Sequence, residues 1–145
     1  MIVTVNEGNL QTAAEIYAES WQNSYRMLYS ESFVMRHTSA RQKVYLKKAM
    51  QSGKQLYMLV KESPVGIVSI KGCLIEDLYV LPAEQNKGYG TELLLFAMNK
   101  CHGSPYLWVL DNNEKAQSLY RKCGFHMTGK KRSFSNLLTE FEMAI

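Results

Sequence analysis

Residues 78–95 read LYVLPAEQNKGYGTELLL. An apolar, β-rich run halts at Pro82, passes through a polar loop holding Gly88 and Gly90, and restarts as a leucine-rich helix. Proline supplies no donor for a continuing ladder, and two close glycines let the main chain approach another molecule with no side chain between. A strand joined to a helix by such a loop excludes all-β and all-α folds. It also asks what the backbone touches.

The rest of the chain supplies partners for both elements. "MIVTVN" alternates like a short strand, and residues 9–29 place Leu10, Ala13, Ala14, Ile16, Tyr17, Trp21 and Tyr25 at spacings of three and four, an amphipathic helix. Ser39 to Gln51 reads as a second helix, capped by Ser39 and stopped at Gly53. "QLYMLVK" and "VGIVSI" predict a hairpin with Pro64 in its turn, and "CLIEDLYVL" a further strand. The helix after the glycines buries Leu93, Leu94, Ala97 and Met98. "PYLWVL" is a strand, and "NNEKAQSLYRKCGF" is a helix ending at Gly124. "FHMTGK" and "LLTEFEM" finish as an antiparallel pair, with "GKKR" at 129–132 topping that hairpin. The order β-α-α-β-β-β-α-β-α-β-β predicts an α/β (α+β) fold, a mixed central β-sheet flanked by helices. No repeat or linker divides it, so residues 1–145 are expected to form one domain.

Composition narrows the class further. No window reaches eighteen apolar residues, and no basic segment followed by an apolar block opens the chain. Neither a membrane span nor a signal peptide is expected, and the cytoplasm is the default location. A net charge of +4 without a long Lys/Arg run suits a small anionic ligand, and no nucleic-acid partner is expected. Cys73, Cys101 and Cys123 are odd in number and lack CxxC spacing, so buried, unreactive thiols are expected rather than a disulfide framework or a zinc site. His37, His102 and His126 pair with no Cys, Ser or Asp at a telling spacing, so no metal is expected.

Two phosphate-loop readings of "QNKGYGTE" fail. A Walker loop needs Lys-Ser/Thr after its last glycine, and here Thr91 and Glu92 follow Gly90. A dinucleotide fingerprint needs a small residue where Leu93 stands. A backbone pyrophosphate cradle fits. The first turn of the helix has amides without intrahelical partners and a dipole that favours an anion, while Lys87 and the Thr91 hydroxyl can add contacts. A tight strand-to-helix turn without a ligand would use the same glycines.

The wider pattern resembles one family. Leu78-Tyr79-Val80-x-Pro82, then Gln85-x-x-Gly88-x-Gly90 and Leu93-Leu94, is similar to the acyl-CoA-binding segment of the GCN5-related N-acetyltransferases (GNAT). A second signature matches in Asn113, Ala116, Leu119-Tyr120 and Lys122-x-Gly124-Phe125, and the matches touch most of residues 13–143. The resemblance implies the acyl-CoA N-acyltransferase fold and acetyl-CoA as donor. Its pyrophosphate would lie on Gln85, Asn86, Lys87, Gly88, Tyr89, Gly90 and Thr91, and its pantetheine arm along Leu78, Tyr79 and Val80, in a gap beside that strand. Asn113 would contact the arm, cap the helix, or do both, with Asn112 or Asp111 as the alternative cap. Tyr120 would face the thioester sulfur as catalytic acid.

Transfer to an amine meets one obstacle. A lysine-like amine is neutral in only about one molecule in a few thousand at pH 7, a deficit of roughly 4.6 kcal/mol that a base or desolvation must offset. The family's glutamate position, six residues before Val80, is Leu74 here. Glu76 is the candidate base, acting through a water. Strand alternation puts it on the face of Leu74, Leu78 and Val80, about 7 Å along from the family position, while Asp77 points the other way. Asp111 is a weaker alternative. Cys123, three residues from Tyr120, has no base near it in sequence, so transfer is expected to be direct.

In the family the first helices wall the acceptor site. Trp21 and Tyr25, one turn apart, are the candidate substrate-binding residues, with Tyr29 and Phe33 adding aromatic surface and Glu19 and Glu31 able to attract a cation. The expected partner is a small-molecule or peptide amine, with no membrane partner. An exposed β edge or the aromatic N-terminal region leaves room for a homodimer. A non-catalytic acyl-CoA-binding module is the alternative function.

Overall fold

A computed structural model describes residues 1–133, 135 and 138–145. The elements are β1 (Ile2–Thr4), α1 (Leu10–Tyr25), α2 (Glu31–Met35), α3 (Ser39–Gln51), β2 (Gln55–Val60), β3 (Pro64–Lys71), β4 (Leu74–Val80), α4 (Tyr89–Lys100), β5 (Tyr106–Leu110), α5 (Glu114–Lys122), β6 (His126–Ser133) and β7 (Thr139–Ala144). The order is the expected one with the single turn α2 added. Leu137, placed in the last strand by the sequence pattern, lies outside the described residues. No described helix is long and apolar enough to cross a membrane.

Local chemistry sets the boundaries. The α1 stripe is buried from Leu10 to Tyr25, but the helix stops there and does not reach residue 29. Ser30 takes an extended backbone and accepts the Phe33 amide at 3.3 Å, which starts α2 as a separate turn. Thr38, one residue before the expected Ser39, caps α3 by accepting the Arg41 amide at 3.2 Å. Gly53, at φ +103°, ends it. Pro64 is the first residue of β3 and lies just past the turn.

The seven strands run in the order β1-β2-β3-β4-β5-β7-β6. Helices α1 and α3 cover one face around Leu46, Met58 and Ile67, and α4 and α5 cover the other around Leu93, Leu94 and Val68. Every neighbouring pair is antiparallel except β4 and β5, which are parallel and share a single register pair, Leu74 with Tyr106. Beyond that pair the two strands splay, which leaves the site-side edge of β4 unpaired. Gly129 to Arg132 lie within β6, across a register shift, and do not top the hairpin as expected.

A bulge in β4 overturns the alternation argument. Ser69 faces Glu76 while Ile67 faces Tyr79, so Asp77 and Leu78 together oppose one residue of β3, and Asp77 takes φ +51°. The extra residue resets the parity. Ile75, Leu78 and Val80 join the α4 side, while Glu76 and Asp77 both reach Lys54 on the α1/α3 side. Glu76 therefore does not share a face with Leu78, and Asp77 does not point away from it.

The expectation of three free thiols is also corrected. Cys73 and Cys101 form a disulfide with their Cα atoms 5.0 Å apart. Spacing could not show this, because the pair is 28 residues apart and is joined only when α4 packs back on β4. Cys123 is free and half-buried.

One glycine is required by packing. A Cβ on Gly66 would sit 2.9 Å from the Tyr79 carbonyl and 2.8 Å from Leu93 Cδ1. Gly66→Ala is expected to destabilise the fold by about 1–3 kcal/mol, the usual cost of overpacking, read as a lower urea midpoint.

Candidate active site

The glycine loop opens a groove of about 730 Å³ lined by Leu78, Tyr79, Val80, Gln85, Asn86, Gly88, Tyr89, Gly90, Thr91, Asn113 and Tyr120. The first helical bond of α4 runs from the Glu92 amide to the Gly88 carbonyl at 3.1 Å, so the amides of Tyr89, Gly90 and Thr91 have no intrahelical acceptor. Gly88 caps the helix at φ +85°, and a Cβ there would meet nothing within 4 Å. That direction is open to an anion. Gln85 fastens the loop to the sheet by donating to the Val80 carbonyl at 3.1 Å. Lys87 is not among the lining residues; it pairs with Glu84 at 2.8 Å.

A second cleft, of about 1280 Å³, lies between α1–α3 and the splayed strands. Trp21 and Tyr25 line it, and both are buried and stacked at 4.5 Å. His37 covers the other side of Trp21 at 3.7 Å. Tyr29 and Phe33 also line the cleft, whereas Glu19, Glu31 and Asp111 do not. Arg132 crosses the Trp108 ring at 4.3 Å and pairs with Glu140 at 2.9 Å on the cleft's far wall.

The floor carries a buried polar group that the sequence reading did not single out. The Asp77 carboxylate accepts from Ser69 Oγ at 2.6 Å and Lys54 Nζ at 3.0 Å, and Lys54 also donates to Tyr45 at 3.1 Å. Burial, then the Asp77 charge, raises the Tyr17 and Tyr45 hydroxyls above the usual phenol range. Burial also raises Tyr79, and it pushes Tyr25 up to about 12 with help from Glu140. All four stay protonated at neutral pH and can act there as donors. Glu76 lines this cleft half-exposed, with its Oε1 at 3.4 Å from Lys54.

Groove and cleft share Ser24, Leu78, Tyr79, Asn113 and Tyr120. Asn113 is the cap of α5, its Oδ1 accepting the Ala116 amide at 3.1 Å, which leaves its amide nitrogen free of that duty. Tyr120 is half-buried, and burial pushes its hydroxyl up to about 12.

The family model of the GNAT acetyltransferases matches residues 11–125. The chain belongs to the GNAT acetyltransferase family. Membership places it among the acyl-CoA-dependent N-acetyltransferases, whose donor is acetyl-CoA. Solved GNAT structures share the fold. The PaiA N-acetyltransferase of Thermoplasma acidophilum, in complex with coenzyme A, superposes with a TM-score of 0.71 at 20% identity, covering 98% of this chain and 96% of that one. A GCN5-related N-acetyltransferase of Rhodopseudomonas palustris gives 0.76 at 22% identity, covering 99% and 93%. The phosphinothricin acetyltransferase of Sinorhizobium meliloti, in complex with acetyl-CoA, gives 0.74 at 18% identity, covering 100% and 86%. A search of curated proteins finds no match.

The groove of this GNAT chain fits a coenzyme A donor: unpaired amides, an open glycine cap and cations stand together. The cations Lys115 and Lys122 line it with Ser118 and were missed from the sequence. Their spacing along α5 puts them on one helical stripe, a signal that could have found them. Among the described residues no group of three or more His, Cys, Asp or Glu could hold a metal.

Proposed function

We propose that residues 1–145 act as one acetyltransferase domain that moves the acetyl group of acetyl-CoA directly to a primary amine of a small molecule or peptide. The observation that carries this reading is the meeting of the two clefts at Leu78, Tyr79, Asn113 and Tyr120. The loop Gln85 to Thr91 would hold the pyrophosphate on the α4 amides, with Lys115 and Lys122 adding charge in place of Lys87. The edge of Leu78 to Val80 that faces away from β3, apart from the Val80 carbonyl held by Gln85, would pair with the pantetheine arm. Glu76 would accept the amine proton through a water, and Tyr120 would donate to the departing sulfur. Trp21 and Tyr25 would wall the acceptor. A cytoplasmic location, where coenzyme A thioesters are supplied, completes the reading.

Calorimetry with acetyl-CoA tests it. Wild type is expected to bind with micromolar affinity, and Gly88→Val to bind about 100-fold more weakly, through loss of charge-assisted backbone hydrogen bonds and a strained left-handed valine. A thiol-release screen over polyamines, amino acids and peptides then identifies the acceptor. A folded wild type that does not bind acetyl-CoA would overturn the reading.

A further inference from the structure

Lys54 is a buried cation with no part in the chemistry proposed above. It follows the Gly53 stop of α3, and its side chain is 8% exposed. From the start of β2 it reaches past β3, whose Ser69 shares its partner, to the bulge of β4. An isolated ammonium there would be strongly unfavourable, and three partners offset that cost: Tyr45 Oη at 3.1 Å, Asp77 Oδ2 at 3.0 Å and Glu76 Oε1 at 3.4 Å. The two carboxylates are not equivalent. Asp77 is 8% exposed and also accepts from Ser69, so its acceptor capacity is largely taken inside the protein. Glu76 is 33% exposed, faces the acceptor cleft, and among the described residues has no partner besides Lys54. Its Oε2 carries no ion pair or hydrogen bond among the described residues.

We propose that Lys54 is a positioning residue for acetyl transfer, acting through Glu76: it holds one carboxylate oxygen against the bulge so that the other faces the incoming amine. This rests on Glu76 as proton acceptor. Lys54 serves both carboxylates, and the more exposed of the two, Glu76, is the one that lines the cleft.

Steady-state kinetics on the wild type, Lys54→Met, Glu76→Gln and the double variant tests this. Lys54→Met is expected to lower kcat about 100-fold, the scale of a roughly 1 Å misplacement, with KM for acetyl-CoA within about 2-fold. The double variant is expected to be no slower than Glu76→Gln, because Lys54 has nothing left to position. Tyr45→Phe removes one anchor and keeps the cation; it should lower kcat about 5-fold in wild type and not at all beside Glu76→Gln. That variant answers the question even if Lys54→Met does not fold. Losses that multiply in the double variants, or an unchanged Lys54→Met beside an impaired Glu76→Gln, would overturn the role of Lys54 and leave the base standing. An unimpaired Glu76→Gln would overturn the base and this inference together.

Discussion

Replacing Tyr120 by phenylalanine is expected to lower kcat by at least about 100-fold, the scale of losing one donor aimed at developing charge, while acetyl-CoA affinity changes by less than about 2-fold. In the proposed complex the groove would hold the donor through many groups, and the lost hydroxyl would be one, which is why binding is expected to survive. The hydroxyl's burial decides its manner of action. Burial raises it to about 12, well above a thiol of about 8.5, so complete transfer of its proton to a thiolate is uphill. A hydrogen bond that strengthens as charge grows on the sulfur is the favoured role, with the proton completing its move only as solvent or product release permits. The sign for pH follows. The protonated form is the active one, so loss through this group begins only as pH climbs toward 12, and an alkaline limb near pH 9 belongs to another group. Thiol-release kinetics on wild type and Tyr120→Phe over pH 6 to 10 check both points. Unchanged turnover of the identified acceptor in Tyr120→Phe would remove Tyr120 from the chemistry.

Reduction of the Cys73–Cys101 disulfide, or its replacement by serines, is expected to destabilise the fold by about 3.5 kcal/mol from loop entropy over its 28-residue separation. Its position adds a functional reason to look. The Cys73 carbonyl accepts the Tyr106 amide at 3.0 Å, beside the lone β4–β5 register pair of Leu74 and Tyr106. The bond therefore ties the C-terminus of α4 to the closed end of the splay that makes the groove. Urea unfolding with and without reductant reads that contribution directly. A change below about 1 kcal/mol would mean that the packing of α4 on β4 holds that end without the bond.

The fold was legible because its signals are local. Leu93, Leu94 and Ala97 recur at helical spacing, Gly53 and Gly124 stop helices with positive φ, and Asn113 caps α5 as its position before Glu114 suggests. The glycine loop was legible for the same reason: Gln85 to Thr91 form one continuous stretch, and all of it except Lys87 lines one groove. The acceptor half was not. Strand parity placed Glu76 and Asp77 on opposite faces, and one inserted residue at the bulge set both against Lys54. The stacking of His37 on Trp21 depends on the added turn α2 lying against α1, where Gln22 donates to the His37 carbonyl at 2.7 Å.

By itself the sequence determined the order of elements and the glycine loop between β4 and α4, because each depends on residues within a turn or two of one another. Tertiary structure decided the disulfide, the face of each acid on β4, and the buried lysine beneath them. Those depend on which distant side chains meet when a twisted, bulged sheet closes under its helices, and no spacing along the chain records that distance.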